Sequence, residues 1–182
     1  MYLVSLYFDE KTNNIIRNHI KQVANKSGND YMISGNVPPH ITVAAFNGEY
    51  SEKIIVKLAE NLRELPKGKI TWAGVGTFLP SVMYITPILN DYLDRISKFV
   101  YNDLCVLKKN NSSSETNFEI NPKYTPFNWI PHTTIGKKLS SDEMGEAFMV
   151  MKDRFGVFTG DVVKIGIART NPYENIVIVD LK

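Results

Sequence analysis

The sequence contains few of the residues that form covalent cross-links or metal centres. Its 182 residues include one cysteine and three histidines. The single cysteine, Cys105, excludes a disulfide within the chain, and no cysteine or histidine cluster has the spacing of a zinc site. No apolar run approaches the length that crosses a bilayer. These absences exclude a disulfide-stabilised fold, a structural zinc site and a membrane span.

A strong charge of either sign is also absent. The net charge is +2 and the pI is near 8.5, so anion binding must come from a local patch rather than from the whole surface. The apolar stretch before Asp9 is too short and wrongly flanked for a signal peptide. We therefore expect a cytoplasmic protein without membrane contact. Its length predicts one domain over residues 1–182, either a simple domain or one built from two similar lobes.

Hydrophobic periodicity divides the first half of the chain into strands and helices. Pro80 and Ser81 suit a hairpin between two β-like runs. The predicted elements are a strand at 2–8, a helix at 12–26, a strand at 38–46, a helix from Ser51, and strands at 69–78 and 82–87.

The second half repeats this order. Ser140 and Glu143 form an S-x-x-E capping box at the start of a helix. Phe99 and Phe148 are predicted on the apolar sides of their helices. The predicted elements are a helix at 89–107, a polar loop at 108–117, a strand at 129–138, the helix from Ser140, and strands at 161–170 and 175–181. Both halves read helix, histidine-containing strand, helix, strand, strand, which indicates an internal duplication and an α+β fold with largely antiparallel sheets.

Two of the three histidines lie in the same short motif. "PPHITVAAF" contains Pro39-His40-x-Thr42, and "WIPHTTIGKK" contains Pro131-His132-x-Thr134. Alternate side chains of a strand share a face, so each histidine and the threonine two places later point the same way. Each motif (40–42 and 132–134) therefore presents an imidazole beside a hydroxyl.

Two such pairs suit in-line displacement at phosphorus. One group must take a proton from the attacking oxygen, and another must give a proton to the leaving oxygen on the opposite side. Histidine can do both near neutral pH, because its unperturbed pKa is about 6.5. The threonine hydroxyls can donate to the non-bridging oxygens, where charge gathers in the transition state. This scheme requires no metal and no other cofactor.

The motif pair resembles that of the 2H phosphoesterase family, also called the 2′-5′ RNA ligase-like or cyclic phosphodiesterase-like family. The segments "VGTFLP", "MYITP" and "FNWIPHTTIG" are also similar to family segments, so the resemblance spans most of the chain. It implies a bilobal α+β fold with a pseudo-two-fold, helices on the outer faces and an active-site cleft between the lobes. It also implies action on 2′,3′-cyclic phosphates, 2′-5′ phosphodiester links or related cyclic nucleotides.

The resemblance assigns roles to individual residues. It implies that His40 and His132 are the acid/base pair and that Thr42 and Thr134 bind phosphate; which histidine is the base depends on substrate orientation. Lys137 stands where some members carry an arginine, and we expect it to bind phosphate as a point charge.

Two residues near the second motif raise questions of their own. By strand alternation Lys138, not Lys137, shares the face of the motif, unless Gly136 breaks the alternation through a bulge. Thr133 is polar where the family commonly has an aliphatic residue, which predicts a milder burial environment.

Aromatic residues near the motifs are candidates for stacking on a nucleobase, and each of them is also suited to core packing. They are Tyr84, Phe127, Trp129 and Tyr173. The third histidine, His19, lies at helical spacing between apolar residues and is predicted to be structural. The polar segment at 108–121 is either a flap over the substrate or a tolerated insertion.

Three functions are compatible with these residues. The first is a monomeric, metal-independent phosphodiesterase acting on a small nucleotide or RNA end with a cyclic phosphate or a 2′-5′ link, with ligation as a related activity. The second is a non-catalytic module that binds a nucleotide or RNA end in the same cleft. The third is a metallohydrolase with the two histidines as ligands, which would need a distant acid such as Glu119 to complete the site.

Overall fold

The strands of the protein form one antiparallel sheet. The computed structural model describes residues 1–48, 52–110, 118–126, 128–170 and 172–182. Every strand pairing among these residues is antiparallel. The strands are β1 (Tyr2–Phe8), β2 (Ile41–Gly48), β3 (Gly68–Phe78), β4 (Val82–Pro87), β5 (Phe118–Ile120), β6 (Thr133–Lys137), β7 (Phe158–Arg169) and β8 (Glu174–Asp180).

The sheet consists of two halves that share β7. The strand order is β5-β2-β1-β7-β3-β4-β6, and β8 pairs with β7. The first part of β7 pairs with β3, whereas its second part, from Lys164 to Arg169, pairs with β8. β1 runs along the opposite edge of β7. The first motif therefore lies at the start of β2 in one half, and the second motif lies at the start of β6 at the end of the other.

The helices begin and end at recognisable signals. They are α1 (Glu10–Ser27), α2 (Tyr31–Ser34), α3 (Glu52–Leu62), α4 (Asp91–Asn110) and α5 (Ser141–Arg154), with a 3-10 turn at Pro122–Tyr124. The Asp9 side chain accepts a hydrogen bond from the Thr12 amide at the start of α1. Gly28 ends this helix with φ of +76°. The predicted capping box of Ser140 and Glu143 is present at α5. No helix within the described ranges is both long and apolar enough to span a membrane.

The predicted α+β fold is confirmed, and its repeated order of elements is present. Two predicted burials are wrong. Phe99 is 39% exposed and Phe148 is 48% exposed. At about 100° of rotation per residue, Phe99 points to the side of the buried stripe of α4, and Phe148 borders a stripe of α5 that buries only Ala147 and Met151.

Other details also differ from the prediction, including the ends of several strands and helices. β2 begins at Ile41 rather than at the prolines before His40, because proline has no N–H to donate to a strand ladder. Helix α4 continues to Asn110, so residues 108–110 of the predicted loop are helical, and residues 111–117 lie outside the described part of the chain. Strand β5 was not predicted, because three residues are too few to show an alternating pattern. The predicted start of α3 at Ser51 also lies outside the described residues.

Candidate active site

The two motif histidines are held in the same way. Each lies immediately before its strand, and its Nδ1 lies 2.8 Å from the carbonyl oxygen two residues earlier: Pro38 for His40 and Ile130 for His132. A carbonyl oxygen only accepts, so Nδ1 must carry the proton in both rings. Nε2 of each neutral ring therefore has a free lone pair. This is the tautomer that can take a proton from an attacking oxygen.

A β-bulge follows each motif threonine. In the pairing of β1 with β2, Ser5 lies opposite Thr42 and Val4 lies opposite Ala44, so Val43 is the extra residue. In the pairing of β4 with β6, Tyr84 lies opposite Thr134 and Met83 lies opposite Gly136, so Ile135 is the extra residue. The two strands thus bulge at the same place relative to their histidines. Bulges are frequent next to active sites because they redirect side chains.

One contact joins the two motif segments although their strands lie in different halves of the sheet: the indole N–H of Trp129, three residues before His132, donates to the Thr42 carbonyl at 2.8 Å. Burial lowers the pKa of His40, and its bond to the Pro38 carbonyl opposes this effect. The positive charges of His132 and Lys137 lower the His40 pKa further. Such charge effects weaken as the distance between the groups increases. Burial also lowers the pKa of His132. The structure therefore brings His40, His132 and Lys137 into one electrostatic environment.

The motif threonines have different surroundings. Thr42 is buried, and its Oγ1 lies 3.3 Å from Oγ of buried Ser5. Thr134 is half-buried, and its hydroxyl has no hydrogen-bond partner among the described residues. If Ser5 donates its hydrogen bond to Thr42, the Thr42 hydroxyl proton is available to a ligand.

Thr133 is more deeply buried than the sequence suggested. It is 0% exposed, and its hydroxyl accepts a hydrogen bond of 3.2 Å from Nε1 of Trp72. The predicted milder burial environment is therefore wrong. The polar side chain is tolerated because a buried hydroxyl with a hydrogen-bond partner avoids the cost of an unpaired polar group.

The bulge at Ile135 separates the two adjacent lysines. Lys137 is exposed and acts electrostatically on His40. Lys138 has a positive φ of 58°, and its Nζ lies 4.5 Å from the centre of the Tyr31 ring. Simple alternation would have assigned Lys138 to the motif face. The extra residue in the strand changes this alternation, and Lys137 is the lysine near the histidines.

Aromatic rings lie against both histidines. The His132 ring is 5.4 Å from the ring of Tyr84 and 4.8 Å from that of Phe78, measured between centroids. The His40 ring is 6.0 Å from Tyr173, with 30° between the planes, and 6.4 Å from Tyr7. Tyr84 and Tyr173 were expected near the site, but Phe78 and Tyr7 were not singled out. The sequence predicted that Phe78 and Tyr7 lie in strands, but it did not show which strands pair with β3 and β1.

The other two aromatic candidates differ. Trp129 is only 7% exposed, and its Nε1 donates a hydrogen bond of 2.8 Å to the Thr42 carbonyl. This burial leaves no open ring face for a base, so the predicted stacking role of Trp129 is not supported. Its contact instead joins the segment of the second motif to the strand of the first. Phe127 lies outside the described residues.

The remaining candidates, His19 and Glu119, have no hydrogen bond or ring contact with the two motifs among the described residues. His19 is 6% exposed and packs near Phe155 and Phe158, as expected for a structural histidine. Glu119 is exposed in β5, opposite Asn47. Among the described residues, no group of three or more histidine, cysteine, aspartate or glutamate side chains is arranged to hold a metal ion.

Comparison with known proteins identifies similar sequences and folds. A sequence model of the 2'-5' RNA ligase superfamily matches residues 14–173, which include both motifs. A comparison with curated proteins finds no match. The protein TT0787 of Thermus thermophilus shares the fold over 98% of this chain and 96% of its own, with a TM-score of 0.64 and 15% identity.

Two structures of Escherichia coli LigT are also similar. The apo form has a TM-score of 0.58 and 16% identity, and the form complexed with 3'-AMP has a TM-score of 0.55 and 12% identity. Each match covers 100% of this chain and 96% of LigT. At these identities the matches show a common fold.

Proposed function

Because the chain belongs to the 2'-5' RNA ligase superfamily, we propose that it is a phosphodiesterase. Its superfamily and its structural neighbours support a phosphoesterase-type or RNA-ligase-like activity. The proposed substrate is a nucleotide or RNA end with a 2′,3′-cyclic phosphate or a 2′-5′ link. One observation supports this proposal: Trp129 bonds the segment of the second motif to the strand of the first, and each motif histidine presents an unprotonated Nε2 because its Nδ1 donates to a carbonyl.

The proposed reaction uses the two imidazoles in opposite senses. Nε2 of the neutral histidine takes a proton from water as the water oxygen bonds to phosphorus. The bond from phosphorus to the leaving ribose oxygen breaks, and Nε2–H of the second, protonated histidine gives its proton to that oxygen. Atoms and charges balance, since one proton is taken up and one is released. A 2′,3′-cyclic phosphate would give a phosphomonoester and a free hydroxyl.

Protonation of one histidine is favoured by the substrate itself. Burial lowers the pKa of both rings, so both are mainly neutral in the free protein at neutral pH. A bound phosphodiester brings a negative charge, which raises the pKa of a neighbouring imidazole. The charge of Lys137 opposes protonation of His40. We therefore propose His40 as the neutral base and His132 as the acid when water attacks.

Three side chains are proposed to contact the phosphate. The hydroxyls of Thr42 and Thr134 belong to the same motifs as the histidines, and Lys137 adds a positive charge. Together they can neutralise charge on the non-bridging oxygens as it increases in the transition state. The aromatic rings of Tyr84 and Tyr173 offer surfaces for the nucleoside parts. A nucleotide ligand agrees with the LigT structure complexed with 3'-AMP.

A substrate screen tests the proposal. We expect turnover of 2′,3′-cyclic nucleotides or 2′-5′-linked oligoadenylates to persist in buffer that contains a chelator, because both proton transfers use side chains of the protein. Products would be separated by chromatography after incubation with each substrate. Tight, salt-sensitive binding without product would instead indicate a binding module. Activity that disappears in chelator and returns with one metal would indicate a metallohydrolase.

The two adjacent lysines allow a matched test of phosphate binding. We expect Lys137→Ala to lower kcat/KM by about 10- to 100-fold, because a hydrogen bond to a charged group contributes about 1.5–3 kcal/mol. Lys138→Ala removes the same charge from a residue that packs on Tyr31, and we expect a change of less than about twofold. Equal losses in the two variants would indicate general attraction of the substrate and contradict a specific contact by Lys137.

A further inference from the structure

A cluster of three polar side chains lies beside His40. The hydroxyl oxygens of Tyr7 and Tyr173 are 2.8 Å apart. Each lies 3.0 Å from Oδ1 of Asn175. Each hydroxyl has one proton, so one tyrosine donates to Asn175 and the other donates to the first tyrosine. The three groups satisfy one another without a charge.

The cluster joins the interior of the sheet to its edge. Tyr7 lies in β1 and is 6% exposed, whereas Asn175 lies in the edge strand β8 and is exposed. Tyr173 lies between β7 and β8 and is half-buried. The Tyr7 ring itself is closely packed, since a Cβ added at Gly166 would lie 3.1 Å from it. Tyr7 is therefore the fixed member of the cluster, and it anchors the more exposed Tyr173.

Tyr173 covers one side of the imidazole of His40. Its ring centre is 6.0 Å from that of His40, and the two planes differ by 30°. The ring therefore excludes water from part of the His40 surface. A tyrosine on the connection between two strands would have other rotamers available if its hydroxyl had no partner.

We propose that Tyr7 is a positioning residue that acts through Tyr173. Its buried hydroxyl, together with Asn175, holds the Tyr173 ring beside His40. The held ring limits the hydration of that imidazole and provides a fixed surface for the substrate on the side of the first motif. The role in substrate binding rests on the proposed function. The role in hydration of His40 is a property of the free protein and does not depend on any activity.

The groups that face His40 determine how its titration responds. These are Tyr7 of β1, Tyr173 of the β7–β8 connection, His132 before β6 and Lys137 of β6. Burial raises the pKa of both phenols, so both stay uncharged throughout the pH range in which histidine titrates. Tyr7→Phe therefore changes no charge. It removes one hydroxyl and leaves the buried ring in place.

Titration of the histidine ring protons by NMR tests the proposal directly. The chain has three histidines, so three Cε1–H resonances can be assigned from single His→Gln variants. In Tyr7→Phe we expect the His40 midpoint to move to higher pH, toward its ordinary value, because the imidazole becomes more hydrated. The midpoints of His19 and His132 should not move. Tyr92→Phe is the matched control: it removes a phenol hydroxyl that donates 3.1 Å to the Pro66 carbonyl, away from the motifs.

A second variant tests the same hydrogen bond from the other side. Tyr173→Phe removes the partner hydroxyl from a half-buried ring, so it does not depend on Tyr7→Phe being well folded. Because the two hydroxyls act as one unit, the double variant should shift the His40 midpoint no further than the larger single shift. An unchanged His40 midpoint in both single variants, or equal movement of all three histidines, would overturn the proposal.

Kinetics then separate this proposal from the proposed function. With an active substrate, we expect Tyr7→Phe to raise KM by about 2- to 12-fold with little change in kcat, as for the loss of one hydrogen bond of about 0.5–1.5 kcal/mol. If no substrate is turned over but His40 still shifts in the titration, the positioning role holds and the phosphodiesterase assignment fails. If turnover is present but neither KM nor the His40 midpoint changes, the positioning role of Tyr7 fails.

Discussion

Replacing either motif histidine with alanine is expected to lower turnover by about 10²- to 10⁴-fold, the usual contribution of a general acid or base. Loss of His40 or of His132 should have effects of similar size, since the reaction needs one proton acceptor and one proton donor. The measurement is kcat for the best substrate of the screen, with chelator present. Circular dichroism would establish that both variants remain folded.

The third histidine provides the control. His19→Gln removes an imidazole from helix α1, where the ring packs near Phe155 and Phe158 rather than near the motifs. We expect its turnover to equal that of the unaltered protein below the melting temperature. The double variant His40→Ala/His132→Ala should be scarcely slower than either single variant, because residues that act as a unit show non-additive losses. Full turnover in either single variant would rule out two-histidine catalysis.

Replacing Trp129 with alanine is expected to lower the free energy of unfolding by about 3–5 kcal/mol, as for other buried tryptophans. This is a large part of the total stability of a typical domain, about 5–15 kcal/mol. The indole is 7% exposed, and its N–H donates to the Thr42 carbonyl. Its loss would leave a cavity and remove the indole donor of the Thr42 carbonyl in the strand of the first motif. Urea unfolding followed by circular dichroism measures the effect.

Trp129→Phe separates the hydrogen bond from the cavity. It keeps most of the ring volume but removes the indole donor of the buried Thr42 carbonyl, which costs about 1–3 kcal/mol. We also expect lower turnover, because Thr42 is proposed to bind phosphate and its strand would lose this contact. The matched variant is Trp72→Phe, which removes the N–H that donates to Thr133 near the second motif. An unchanged unfolding free energy in Trp129→Phe would contradict the bracing role.

The two tryptophans of the chain have a common arrangement. Each donates its indole N–H to one motif strand: Trp129 to the Thr42 carbonyl and Trp72 to the Thr133 hydroxyl. These bonds, the two bulges and the hydrogen bonds from each imidazole to a carbonyl restrict the position of both motifs. Such fixation matters because acid/base groups act only when their atoms are correctly placed before the reaction.

The linear sequence was sufficient for much of the fold and for the motifs. Strands β1 and β4 were predicted with their observed ends, and the capping box at Ser140 was predicted correctly. These features are local: they depend on alternation, periodicity and capping over a few residues. The motif pair was visible for the same reason, because each half of it lies within three residues. Its catalytic role and the single-domain boundary at 1–182 stay predictions.

Other features of the fold and of the site depend on contacts between residues that are distant in the sequence. Strand β5 forms by pairing with β2, and the bulge at Ile135 determines that Lys137, not Lys138, lies near His40. Trp129 was expected as a stacking surface but is buried against the first motif. The sequence predicted Tyr7 only as a residue of β1, and its contacts with Tyr173 and Asn175 are visible only in the tertiary structure. Periodicity shows which face of a strand a residue occupies, whereas its neighbours depend on which strand pairs with it and in which register, and only the tertiary structure supplies that pairing.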